Sequence, residues 1–208
     1  MTTERRELDV QVEGAELEAD LVVPEGARGV VVIAGGPEDD AVLGRMARDL
    51  QEGRLGTMLL HLRTPEEARH ETRGPEPERA QATNRILGAC RRLARQRPTY
   101  RLGRGVLAMG RAATPALLAA GEQDAGVGAV VCVDGRFEEG APAGTAPSPA
   151  LLLVSDDAMV PAGEAVLDGV AAEKELQVVK SSHRSIEERT EKVSAASIRW
   201  FARHLRGR

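Results

Sequence analysis

Hydrophobic positions along the chain follow two spacings, and each spacing predicts a different element. Residues 7–13 and 17–23 alternate apolar and polar side chains on either side of a turn, which predicts an antiparallel hairpin. Residues 29–34 form a continuous run, Gly-Val-Val-Val-Ile-Ala, which is typical of a strand buried on both faces of a parallel sheet. Residues 41–51 then place apolar side chains at helical spacing.

The alternation of strand and helix continues to the end of the chain. Further strands are predicted at residues 56–62, 105–109, 128–133, 150–154 and 175–180. Further helices are predicted at residues 78–96, 115–120, 162–172 and 186–205, and loops at 65–77 and 140–149. The pattern therefore predicts one α/β domain over residues 1–208, in which a mostly parallel eight-stranded sheet begins with an antiparallel hairpin and carries helices on both faces.

Composition and charge argue against several classes of function. The net charge is -4 and aromatic residues make up 2% of the chain, so we expect no nucleic-acid partner. No apolar run has the length of a membrane span, and the first residues lack a signal core, so we expect no membrane association and a cytoplasmic location. Cys90 and Cys132 lie in apolar stretches and are predicted to be buried free thiols.

The candidate functional residues are those that follow the predicted strands. Ligands of parallel sheets bind at the carboxyl edge of the sheet, where these residues lie. The segments at this edge are residues 35–36, His61, and residues 110–114, 132–134, 155–157 and 181–183. The acidic pairs at 39–40 and 156–157 lack the spacing of a known metal loop, and no phosphate-binding glycine pattern is present. We therefore predict neither a metal nor a cofactor.

Three segments of the sequence resemble segments of a known family. They are Pro-x-Gly-Ala-x-Gly-Val-Val-Val-Ile-Ala at 24–34, Leu-Leu-x-Leu-x-Thr-Pro-Glu-Glu at 59–67, and Trp-Phe-x-x-His-Leu at 200–205. In this order they are similar to small bacterial dienelactone-hydrolase-like proteins of the α/β-hydrolase fold, and the resemblance covers nearly the whole chain. It implies a nucleophile in a G-x-S-x-G turn, then a carboxylate, then a base histidine, with backbone amides that stabilise an oxyanion.

Carried onto this chain, the resemblance implies a site that lacks its nucleophile. The matching turn reads Gly-Arg-Ala-Ala-Thr at 110–114, so Ala112 stands at the nucleophile position and Thr114 replaces the second glycine. Asp157 matches the carboxylate and His183 the base. The backbone amides of Gly35, Gly36 and Ala113 match the oxyanion region.

The residues themselves leave simpler interpretations open. Asp157 could cap the helix that follows it, Thr114 could cap the helix after residue 114, and His183 could be an ordinary loop histidine. Cys132, Thr114 and Ser155 are the possible replacement nucleophiles, although none is predicted to lie on an exposed turn.

Three functional hypotheses follow. The first is a pseudo-hydrolase without turnover that binds a small molecule in a cleft above Ala112, or binds a partner. The second is an active hydrolase, of ester or related bonds, with altered chemistry around Asp157 and His183. The third is a structural or interaction subunit. The sequence favours them in this order, because the residue that would attack the substrate is an alanine.

Overall fold

The computed structural model describes residues 3–12, 14–36, 39–64, 66–67, 79–137, 147–180 and 185–205. These residues contain one sheet of eight strands. The strands are β1 (Thr3–Val12), β2 (Ala15–Pro24), β3 (Gly29–Gly35), β4 (Gly56–His61), β5 (Gly103–Met109), β6 (Val127–Val133), β7 (Ala150–Val154) and β8 (Lys174–Val178). The helices are α1 (Asp40–Glu52), α2 (Arg79–Arg95), α3 (Ala113–Gly121), α4 (Val160–Leu167) and α5 (Ile186–His204).

The order of strands in the sheet is β1-β2-β4-β3-β5-β6-β7-β8. β1 pairs antiparallel with β2, and β2 pairs antiparallel with β4. Every other neighbouring pair is parallel. The predicted fold, an opening hairpin followed by a mostly parallel eight-stranded sheet, is therefore confirmed.

Two apolar layers cover the sheet, one on each face. On β3, Val30 and Val32 pack with one layer, while Val31 and Ile33 pack with the other. α2, α3 and α4 cover the first face, and α1 and α5 cover the second. The continuous run without polar side chains at 29–34 is explained by this arrangement, because both sides of β3 are buried.

Several predicted boundaries differ from the observed ones. β1 begins at Thr3, before the predicted start at residue 7, and α4 ends at Leu167, before the predicted end at residue 172. Most of the predicted loops at 65–77 and 140–149 lie outside the described residues. Cys90 and Cys132 are buried free thiols, as predicted. No helix in the described part of the chain has the length and apolar character needed to cross a membrane.

A buried arginine ties α2 to the segment that follows β4. The side chain of Arg85 is 2% exposed, and its guanidinium donates two hydrogen bonds of 2.7 and 2.8 Å to the carboxylate of Glu67. It also donates to the carbonyl oxygen of Leu62. Thr64 closes the turn, because its backbone N–H donates to Glu67 and its hydroxyl accepts from the Glu67 N–H. The chain leaving β4 is thus held against α2 by a charge-assisted pair.

This ion pair gives the stability of the fold a defined dependence on pH. Hydrogen bonding to Arg85 lowers the pKa of Glu67 below its ordinary value of 4.5. The stabilisation is therefore complete above pH 4.5 and is lost as the pH falls through the lower native pKa. We expect Glu67→Gln to cost about 1 kcal/mol of unfolding free energy at pH 7 and progressively less in acid. Urea denaturation of both proteins between pH 7 and pH 3 measures this, and a pH-independent difference would contradict it.

Candidate active-site turn and neighbouring cleft

The turn after β5 leads from the strand directly into a helix at the carboxyl edge of the sheet. Met109 ends the strand, and Gly110, the next residue, has a φ of +57°. Gly110–Ala112 then form a short 3-10 turn that continues directly into α3. A positive φ is strained for residues with a side chain and is readily adopted by glycine. The backbone therefore places the strand-to-helix elbow at Gly110.

This position differs from the one that the sequence predicts. Ala112 has ordinary helical angles, φ -73° and ψ -11°, and is only 4% exposed. It faces the core and does not stand on an exposed turn, so the elbow lies two residues earlier than the G-x-S-x-G comparison implies. The physical reason is that β5 ends at Met109, which makes the glycine of the motif the turning residue itself.

Thr114 does not have its predicted capping role. α3 begins at Ala113, so Thr114 already lies in its first turn, and no side chain caps the helix. The Thr114 hydroxyl is buried and has no hydrogen-bond partner among the described residues. The 3-10 turn continues directly into α3, so Thr114 lies inside the helix and cannot be the residue that precedes its first turn.

Two of the three amides predicted for an oxyanion site are already hydrogen-bonded within the chain. The Gly36 N–H donates to Oδ2 of Asp39 at 3.2 Å, and the Ala113 N–H donates to the carbonyl oxygen of Gly110. Gly35 ends β3, in register with His61 of β4. Ala113 is therefore not available as a donor, which corrects its predicted role, and the Gly36 amide faces a carboxylate.

Asp157 lies on the surface, beside a lysine. Its Oδ2 accepts a hydrogen bond of 2.5 Å from Nζ of Lys180, and the two side chains are 67% and 66% exposed. This bond raises the pKa of Lys180. The helical segment after β7 is capped by Asp156, whose side chain accepts from the Ala158 N–H at 2.9 Å. The predicted base, His183, lies outside the described residues, so the pairing of Asp157 with His183 stays a prediction.

A cleft of about 450 Å³ opens beside these residues, at the ends of β7 and β8 and the start of α5. Its lining contains both signs of charge and two hydroxyl groups: Ser155, Asp156, Asp157, Val179, Lys180, Ser185, Ile186 and Arg189. Asp134, which follows β6, supports one wall. Its carboxylate accepts from the Ser155 N–H at 2.7 Å and pairs with Arg189 at 3.1 Å. The sequence analysis did not single out Lys180 and Arg189, the two cationic residues of this lining, because no local motif marks them.

The described residues offer few groups for covalent or metal chemistry. Burial raises the pKa of Cys132, and it raises the pKa of Cys90 to about 12, so both thiols stay protonated at neutral pH. Among the described residues, no group of three or more His, Cys, Asp or Glu side chains has the arrangement of a metal site. Ser155 lines the cleft, but it does not stand on the elbow.

A mostly parallel eight-stranded sheet, an opening antiparallel hairpin, helices on both faces and a sharp turn after β5 together define the α/β-hydrolase fold. Solved structures agree. A dienelactone hydrolase from Anabaena variabilis is 28% identical, with a TM-score of 0.86 over 99% of this chain and 100% of that one.

More distant structures share the fold. A dienelactone hydrolase-like promiscuous phosphotriesterase from metagenomic libraries is 13% identical, with a TM-score of 0.76 over 99% of this chain and 100% of that one. Est1E from Butyrivibrio proteoclasticus is 12% identical, with a TM-score of 0.69 over 94% of this chain and 99% of that one. No family model and no curated protein sequence matches the chain.

Proposed function

We propose that this chain is a non-catalytic relative of the dienelactone hydrolases, which binds a small molecule or a partner at the carboxyl edge of its sheet. The proposal rests on the identity of the residue at the strand-to-helix elbow. Gly110 stands where the fold presents its nucleophile, and it has no side chain. Loss of the nucleophile alone costs on the order of 10⁶ in turnover, whatever remains of the other catalytic groups.

The surroundings of the elbow support the same proposal. Acyl transfer needs preorganised donors for the oxyanion. Here the Gly36 amide already donates to the Asp39 carboxylate, so it is not held ready for an oxyanion. The Asp157 carboxylate is paired with Lys180 on the surface, where water screens it. None of these groups is arranged to generate or to stabilise a tetrahedral intermediate.

The test is a hydrolysis assay with p-nitrophenyl acetate as the activated ester. We expect wild type and Ala112→Ser to match the buffer blank, because residue 112 is buried and stands off the elbow. His183→Ala and Asp157→Ala serve as comparison variants. Wild-type turnover that disappears in His183→Ala would refute the proposal.

Two observations favour a second candidate, an active hydrolase with altered chemistry. Ser155 and Asp157 line the same cleft, and the chain is 28% identical to a dienelactone hydrolase. In this alternative, Asp157 and His183 would activate water or a neighbouring hydroxyl without an elbow nucleophile. This alternative predicts a hydrolysis rate that changes with pH near the pKa of a histidine, and it predicts a lower rate in Asp157→Ala. Equal hydrolysis rates in wild type, His183→Ala and Asp157→Ala would exclude this alternative.

A further inference from the structure

The outer face of the β1–β2 hairpin is open to solvent and strongly acidic. The inner face of the hairpin belongs to the apolar layer under α2, where Val10 and Leu17 are buried. The side chains of the outer face alternate with these, and Arg5 is the only cation among them. Five carboxylates lie on this acidic hairpin face: Glu7, Asp9, Glu16, Glu18 and Asp20.

The register of the hairpin places like charges directly opposite one another. Glu7 faces Asp20, and Asp9 faces Glu18, on the two neighbouring strands. Like charges in opposed positions of an antiparallel pair lower its stability. None of these four carboxylates makes an ion pair within the described residues. A cationic surface that covered the acidic hairpin face would therefore remove a repulsion that the single chain leaves uncompensated.

Residues 91–104, at the end of α2 and in the turn that follows it, carry the opposite charge. This basic segment contains six arginines and no aspartate or glutamate, in a chain whose net charge is -4. Arg92 and Arg95 lie in the last turns of α2, where the helix dipole favours cations, but Arg97 and Arg101 lie beyond the helix. These four arginines are exposed and make no ion pair within the described residues.

Tyr100 gives the basic segment the composition of a protein interface. It is the single tyrosine of the chain and is 42% exposed, whereas Trp200 and Phe201 are buried. The guanidinium carbon of Arg101 lies 5.2 Å from the centroid of the Tyr100 ring. Tyrosine and arginine are enriched among the residues that dominate binding in protein interfaces. Arginine also pairs with carboxylates through two parallel hydrogen bonds, so the basic segment fits an acidic protein surface.

We propose that the basic segment of one copy of this chain docks on the acidic hairpin face of a second copy. Charge complementarity selects this occupant, because five carboxylates on one surface and four arginines on the other lack ion-pair partners within the described residues. Every copy carries both surfaces, so identical chains supply the whole contact. The contact uses neither the elbow nor the cleft, and it goes beyond the proposed function because it holds whether or not the chain hydrolyses an ester.

Sedimentation velocity at about 20 mM and about 0.5 M salt tests the inference, because salt screens contacts between exposed charges. An acid-reversed variant carries Asp9→Lys and Glu18→Lys, and a base-reversed variant carries Arg95→Glu and Arg97→Glu. The matched control for the acid-reversed variant carries Glu164→Lys and Asp168→Lys, which change the net charge equally at exposed positions outside both surfaces.

We expect wild type and the control to associate at low salt and to dissociate at high salt. Each reversed variant alone should stay monomeric at low salt. An equimolar mixture of the two should associate again, because the introduced lysines then face the introduced glutamates and the native arginines of one variant face the native carboxylates of the other.

Three results overturn the inference. The first is a wild type that stays monomeric at low salt, even if heparin, as an anionic occupant from another source, binds its basic segment. The second is an association that survives either reversal. The third is a mixture of the two reversed variants that remains monomeric.

Discussion

Arg85→Ala should lower the free energy of unfolding by about 3 kcal/mol, because it removes the buried partner of an ion pair and leaves a cavity in the space of its side chain. The mutation deprives the Glu67 carboxylate of two hydrogen bonds and the Leu62 carbonyl of one. It also empties the space of a side chain that is 2% exposed. Glu67 is 40% exposed, so water will compensate part of its loss.

The matched control for this prediction is Arg91→Ala on the same helix. Arg91 pairs with Asp124 at 2.7 Å, but these side chains are 42% and 63% exposed. A surface pair of this kind contributes less than about 1 kcal/mol. Urea denaturation followed by circular dichroism measures both variants. Equal losses in the two would contradict the special role of Arg85.

Phe201→Ala should have a comparably large effect, about 3–5 kcal/mol, because it opens a cavity between α5 and the sheet. Phe201 is fully buried, and its ring lies against β5, where a Cβ atom on Gly105 would approach it to 2.6 Å. Tyr100→Ala is the control, since Tyr100 is 42% exposed and should change stability by about 0.5 kcal/mol or less.

The packing between Phe201 and Gly105 provides a further check on this second prediction. Gly105→Ala should destabilise wild type through overpacking and should cost less in the Phe201→Ala background, where the ring is absent. Thermal or urea denaturation of the four proteins gives the coupling energy. Additive losses would show that the close approach of the ring to β5 does not set the stability of this layer.

Much of the fold could be predicted from the sequence, because burial on both faces leaves a clear pattern. The run at 29–34 indicated a central parallel strand, and its alternate residues do belong to opposite apolar layers. The hairpin was equally clear from the alternation at 7–13 and 17–23. Boundaries were less predictable, since β1 extends to Thr3 through a polar segment that carries no apolar signal.

The candidate site was predicted less well, because its geometry depends on single backbone angles and on contacts between distant segments. Matching residues to a motif placed the elbow at Ala112, whereas the length of β5 places it at Gly110. The pair Asp39–Asp40 gave no sign that Asp39 would turn back to Gly36. Sequence periodicity placed Arg85 on a helix but could not show its partner 18 residues earlier.

The central claim is that the elbow carries no nucleophile, and labelling with a fluorophosphonate probe tests it most directly. Intact-mass spectrometry of wild type after incubation should show no added mass, while a serine esterase treated in parallel is labelled completely. Stoichiometric labelling of wild type, mapped by peptide analysis to one serine or threonine, would contradict the account, because it would reveal an activated hydroxyl group in this chain.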